Sequence, residues 1–160
     1  MENLSIASKK GADFLADFCY APVVGFGEGP VLPCNLTSLV SAFGTPFEPD
    51  LAGSVLLLED RAERHDILDR WLTTLYISGK LAQVAAVGFG QFENCDSRGA
   101  FNMLSFEELA GDRLVPMQVP CCFDLPFGQS AQSFVVPFGV RSVLDTAKGK
   151  LSFSESAFSH

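Results

Sequence analysis

An α/β domain with a central parallel sheet and a second, antiparallel layer is what this sequence predicts, and three observations predict it. The run Val55-Leu56-Leu57-Leu58 is apolar throughout and ends on two adjacent acids, Glu59 and Asp60. Four apolar residues in a row read as a strand buried on both faces, as in a parallel sheet. Between this run and a second one at 84–89, Ile67, Leu68, Trp71, Leu72, Leu75 and Tyr76 make an apolar stripe of helical period. Helical patterns thus alternate with strands early on, whereas the later chain is a series of short strands separated by Pro, Gly and Asp.

Taken in order, residues 4–18 place Leu4, Ala7, Phe14, Leu15 and Phe18 at roughly helical spacing, broken by Gly11. Residues 1–28 are therefore read as a weak N-terminal helix or linker remnant, and 29–160 as the domain proper. A strand is expected at 30–33 and a helix at 36–43, capped by Asn35 and stopped by Gly44. Strand 54–58 follows. The striped helix starts at Asp66 as cap and ends at Gly79, with Asp69 and Arg70 toward its polar side. Ser105-Phe106-Glu107-Glu108 has the form of a capping box and predicts a helix over 105–110. Short strands are expected at 116–119, 132–137, 140–145 and 150–154. Gly25-Phe26-Gly27-Glu28-Gly29 and Gly88-Phe89-Gly90 are read as turns. Neither has the strand, spaced glycines and immediate helix of a phosphate-binding loop, and Glu28 would repel a phosphate.

With 160 residues, 48% of them hydrophobic, the chain can bury a core without disulfides or metals. A net charge of −8 argues against nucleic acid or an anionic membrane as partner. No apolar run reaches the roughly 18 residues of a membrane-spanning helix. Two lysines near the start are followed by Asp13 and Asp17 rather than an apolar stretch, so a secretory signal is not expected and a cytoplasmic location follows. The five cysteines, Cys19, Cys34, Cys95, Cys121 and Cys122, form no Cys-x-x-Cys pair and have few histidines to join them. They read as reduced, partly buried thiols; no metal and no cofactor are expected. The fifteen phenylalanines are read as core and interface filler.

A set of short motifs goes further. Asn35-Leu36, Gly44-Thr45-Pro46, Leu58-Glu59-Asp60, Glu63, Asp69-Arg70, Gly90-Gln91-Phe92, Phe127-Gly128 and Val136-Pro137-Phe138-Gly139 occur in this order. Together they resemble the C-terminal domain of the LD-carboxypeptidase family, which includes the microcin-immunity peptidases. The resemblance covers about positions 29 to 153. It implies a three-layer swivelling β/β/α fold and a cytosolic serine peptidase that trims murein tetrapeptides or related peptide amides. It also implies a Ser-His-Glu triad whose serine belongs to a separate N-terminal domain, for which residues 1–28 are too few.

The same resemblance puts the triad Glu at Glu59 and the triad His at position 129, where this chain has Gln129, 70 residues away. Gln holds a hydrogen bond but cannot take up and return a proton, so the general base is missing. The family's Gly-Gly before Asn35 is Pro33-Cys34 here, which changes the turn. Cys34 and Asn35 are then the candidate substrate-binding residues, although no base for a Cys34 nucleophile is evident. His65 is the one internal histidine that a loop could bring to Glu59; a lone surface histidine is the commoner situation, and His160 is terminal. The expected function is a peptidase-like domain inactive on its own. A nucleophile domain on another chain could complete it. Alternatively it is a non-catalytic peptide- or muropeptide-binding module, or an oligomeric subunit such as a homodimer.

Overall fold

A computed structural model of the chain describes residues 13–15, 20–95, 104–130 and 133–154. The strands are β1 (Asp13–Leu15), β2 (Phe26–Asn35), β3 (Val55–Arg61), β4 (Ala86–Glu93), β5 (Cys121–Cys122), β6 (Arg141–Asp145) and β7 (Lys150–Phe153). The helices are α1 (Leu36–Ser41), α2 (His65–Ile77) and α3 (Phe106–Leu114). Among the described residues the strands form one sheet in the order β1-β7-β6-β2-β3-β4-β5. The β2-β3-β4-β5 part is parallel, and β6, β7 and β1 extend it antiparallel.

The hinge of this sheet is β2. Its residues Phe26–Pro30 pair with β6, and Val31–Asn35 pair with β3. The antiparallel half curls over one face of the parallel half, so that Leu144, Leu151 and Phe153 share a buried cluster with Val31, Val55 and Leu57. The opposite face carries Leu56, Leu58, Val87 and Phe89 against Leu36, Leu68, Leu72 and Leu109 of the helices. The three layers expected from the sequence are present, the second being the same sheet folded back. Val55 to Leu58 feed the two clusters alternately, as a pleated strand buried on both sides must. Each such leucine contributes roughly 2 kcal/mol of burial. The aromatic filler is in the helix-side core, where Phe89 stacks on Phe123 at 4.5 Å and meets Phe106 edge-on at 5.5 Å.

Both glycine-rich segments expected to be turns are strand. Gly27 and Gly29 are in β2 and Gly88 and Gly90 in β4. A Cβ on Gly29 would be 1.9 Å from the Gly53 carbonyl oxygen, and one on Gly27 2.2 Å from that of Ala85. These glycines admit neighbouring backbone rather than bend the chain.

Other elements differ more locally. Asp13–Leu15 pair antiparallel with β7 instead of forming part of a helix; residues 4–12 and 16–18 of that reading lie outside the described residues. The cap of α2 is Arg64, not Asp66, whose carboxylate instead accepts from Arg64 Nε at 2.8 Å. Residues 116–119 close α3 in turns, with Gln118 at φ +54°, and no strand forms there; pairing is made by Cys121–Cys122. Residues 133–137 form no strand either; the Phe134 N–H bonds the Pro126 carbonyl at 2.8 Å, and Phe134 and Val136 pack against the cluster beside the cleft, while residue 132 is outside the described set. The Ser105–Glu108 capping box is present in both directions, and the helix runs on to Leu114.

Candidate functional site

The parallel strands end together at one edge of the molecule. Asn35, at the end of β2, is opposite Glu59 near the end of β3. Successive side chains on a strand point to opposite faces, and this separates the two acids. Glu59 faces the cleft on the side away from the helices, while Asp60 is buried, 3% exposed.

Asp60 is consumed by structure. Its Oδ2 accepts from the Thr37 N–H at 2.9 Å and the Thr37 hydroxyl at 2.8 Å. Its Oδ1 accepts from Asn35 Nδ2 at 3.0 Å and from the Arg61 N–H at 2.8 Å. A carboxylate so placed satisfies otherwise unpaired donors at the start of α1. Asn35 in turn accepts from the Ser38 N–H at 2.9 Å, the cap the sequence suggests. The sequence reading gave Asp60 no role; four acceptor contacts on a buried acid assign it that of fixing the turn.

Glu59 is half-buried and meets Gln129. The Gln129 Nε2 donates toward Glu59 Oε1 at 3.3 Å and Oε2 at 3.2 Å. What brings residue 129 there is β4. Between the pairs Leu58–Phe89 and Asp60–Phe92 the register shifts, leaving Gly90 and Gln91 opposite the single Glu59. Such a bulge re-aims the local backbone. The Gln91 N–H then donates to the Phe127 carbonyl at 2.8 Å, and a Cβ on Gly90 would be only 2.5 Å from that same oxygen. Gly128, at φ +124°, turns the chain immediately before Gln129. The Gly90-Gln91 motif therefore works as the seat of the Phe127–Gln129 loop.

Glu59, Gln129, Asn35 and Cys34 line one cleft of about 230 Å³, whose walls are Pro33, Phe127, Phe134 and Val136. Pro33 is tolerated in β2 because β6 pairs only with Phe26–Pro30, so no ladder needs its missing N–H on that side. Burial pushes the Cys34 thiol above its ordinary value, which disfavours the thiolate. His65 does not reach the acid: its Nε2 is 3.2 Å from the Cys95 carbonyl, at the start of α2. His160 lies outside the described residues. Among those described, no group of three or more His, Cys, Asp or Glu is placed to hold a metal ion, and no helix is long and apolar enough to cross a membrane.

The fold and the cleft define an α/β domain that presents an acid and an amide at the carboxyl ends of parallel strands, where open α/β sheets place their ligands. Residues 28–144 match the model of the LD-carboxypeptidase C-terminal domain, and the chain belongs to that family. It is 36% identical, over 81% of its length, to a Synechocystis protein provisionally named a carboxypeptidase. It is 34% identical, over 74%, to the murein tetrapeptide carboxypeptidase of Pseudomonas aeruginosa. The chain spans 43% and 38% of those two proteins. Among solved structures, the muramoyltetrapeptide carboxypeptidase of Oxalobacter formigenes superposes with a TM-score of 0.77, at 24% identity, over 97% of this chain and 53% of that one.

Proposed function

We propose that this chain is the cleft-bearing half of a murein-peptide carboxypeptidase fold, and that its cleft binds a peptide or muropeptide end without hydrolysing it. The observation that carries this is the Gln129 amide resting on both oxygens of Glu59. In a serine peptidase the residue oriented by the acid takes the proton of the nucleophile and returns it to the leaving amine. An amide does neither. Whatever supplies a nucleophile, a base is lacking at the position the acid orients. Glu59 is then left as an acceptor, with Asn35 and Cys34 as contacts on the adjoining wall. The named activity of the Pseudomonas relative supports a murein tetrapeptide as the ligand to try first. Residence in the cytoplasm belongs to the same proposal, and the free thiols Cys34 and Cys95 support it.

The test joins binding to hydrolysis. Calorimetric titration with a murein tetrapeptide should give saturable binding to the wild-type chain, and no release of the terminal residue. Gln129→His, mixed with a nucleophile domain from an active relative, should release it far faster than wild type in the same mixture. Release by the wild-type chain at the rate of the histidine variant would defeat the proposal.

An interaction role has separate support. Val135 and Phe138 are 51% and 69% exposed and flank Val136, a wall of the cleft. Apolar side chains so placed suit a covering surface, either a nucleophile domain on another chain or a second copy. Sedimentation at increasing concentration distinguishes these: a monomer at every concentration excludes the homodimer.

A further inference from the structure

Resting on the reading of the cleft as a binding site, a more specific assignment follows from its charge. We propose that Glu59 receives a primary ammonium group, and that the cleft selects the amino end of its ligand, or an amine-bearing side chain, over a carboxylate end. Among the described residues that line the cleft, Glu59 is the one with a formal charge. Its protein partner, the Gln129 amide, is neutral and spans both oxygens with one nitrogen at 3.2 and 3.3 Å. A carboxylate offers about four lone-pair sites, so several remain unfilled.

Among the described residues, no ion pair is made to Glu59. Arg61, two residues on, turns to Glu93 at 3.5 Å, and Arg64 bonds Asp66 at 2.8 Å. Lys80 is paired with Glu48, and Arg113 with Asp69. Asn35 gives one amide hydrogen to Asp60 and one acceptor site to Ser38, so it does not neutralise Glu59. A half-buried carboxylate beside apolar walls attracts a cation and repels an anion.

The walls set the rest of the ligand. Pro33, Phe134 and Val136 offer hydrocarbon to a short methylene chain along a cleft of about 230 Å³. An amine with four to six carbons, or the equivalent stretch of a peptide, fits. An ammonium there makes charge-assisted hydrogen bonds to Glu59 while its chain displaces water from the walls.

The experiment titrates the full chain, followed by NMR, with three probes of one shape: pentylammonium, pentanol and pentanoate. Pentylammonium should bind saturably at least tenfold more tightly than pentanol, and pentanoate should not bind. Glu59→Gln should weaken pentylammonium at least tenfold while leaving pentanol unchanged. Gln129→Lys, which sets an ammonium of the chain's own against Glu59, should block it similarly. Equal affinity for amine and alcohol, no saturable amine binding, or indifference to Glu59→Gln in a variant of native circular dichroism would overturn the assignment. Tetrapeptide binding that persists under those outcomes would leave the broader binding role standing. Pentylammonium binding without any tetrapeptide binding would reject the murein ligand and keep the ammonium site.

Discussion

Asp60 accepts two hydrogen bonds from Thr37, one from its backbone N–H at 2.9 Å and one from its hydroxyl at 2.8 Å, across 23 residues of sequence. With Asn35 added, this one carboxylate fixes the β2–α1 turn that forms a wall of the cleft. Asp60→Ala leaves four part-buried donors without their acceptor, and a loss of about 2 kcal/mol is expected in urea unfolding. Asp60→Asn, which retains one acceptor oxygen, should lose clearly less. Equal stability of the alanine variant and wild type would contradict the anchoring role.

Its neighbour should behave oppositely. Glu59 is half-buried and its bond to Gln129 is long, so Glu59→Gln should shift stability by no more than about 0.5 kcal/mol. A residue whose removal leaves the fold intact but abolishes ligand binding serves the site rather than the scaffold. Denaturation and titration of the same preparation separate the two roles.

Two glycines give a paired test of the strand geometry. Gly29→Ala would put a Cβ 1.9 Å from the backbone oxygen of Gly53, a clash that no rotamer relieves, and a cost of about 3 kcal/mol or outright failure to fold is expected. Gly111, inside α3, has open space around its Cβ position, so Gly111→Ala should stabilise by about 0.5 to 1 kcal/mol. Thermal unfolding of both variants reads the contrast.

Cys34 should label slowly. Its thiol is held above the ordinary value by burial, so at mildly alkaline pH it carries less thiolate than a free cysteine. Iodoacetamide labelling followed by mass spectrometry should show its rate rising only at a higher pH than that of a model thiol. Labelling at the rate of free cysteine would disprove it.

Glu48 supplies a pH-dependent test outside the cleft. The Lys80 ammonium, then the Gly44 N–H, hold its carboxyl below the usual carboxylate value. A depressed carboxyl stabilises the fold above its unfolded-state value, and the contribution is lost as the pH falls through the folded one. Glu48→Gln should therefore be less stable than wild type at neutral pH and indistinguishable from it in strong acid. A stability difference that persists unchanged in acid would exclude the ion pair as its source.

Local chemistry made much of this molecule legible in the sequence. Val55–Leu58 specify a strand buried on both faces because no polar side chain interrupts them. The stripe containing Leu68, Leu72 and Leu75 defines the helix that covers it, and Ser105 with Glu108 defines the start of α3. The order of short motifs carried the family and, through Glu59 and residue 129, the pair at the centre of the cleft.

The tertiary structure decided the rest, because each remaining question turned on what lies across space from a residue. Glycines that resemble turn residues by type are strand residues, since the Gly53 and Phe127 carbonyls approach them. Glu59 and Asp60 are equivalent as a dipeptide, and only the faces of β3 make one a cleft acceptor and the other a buried anchor. That Gln129 meets Glu59 depends on the Gly90-Gln91 bulge seating a loop from 36 residues further along the chain. Periodicity reports the period of an element, whereas a contact at a separation of 70 residues exists only once β3 and β4 have paired and the loop is seated on them.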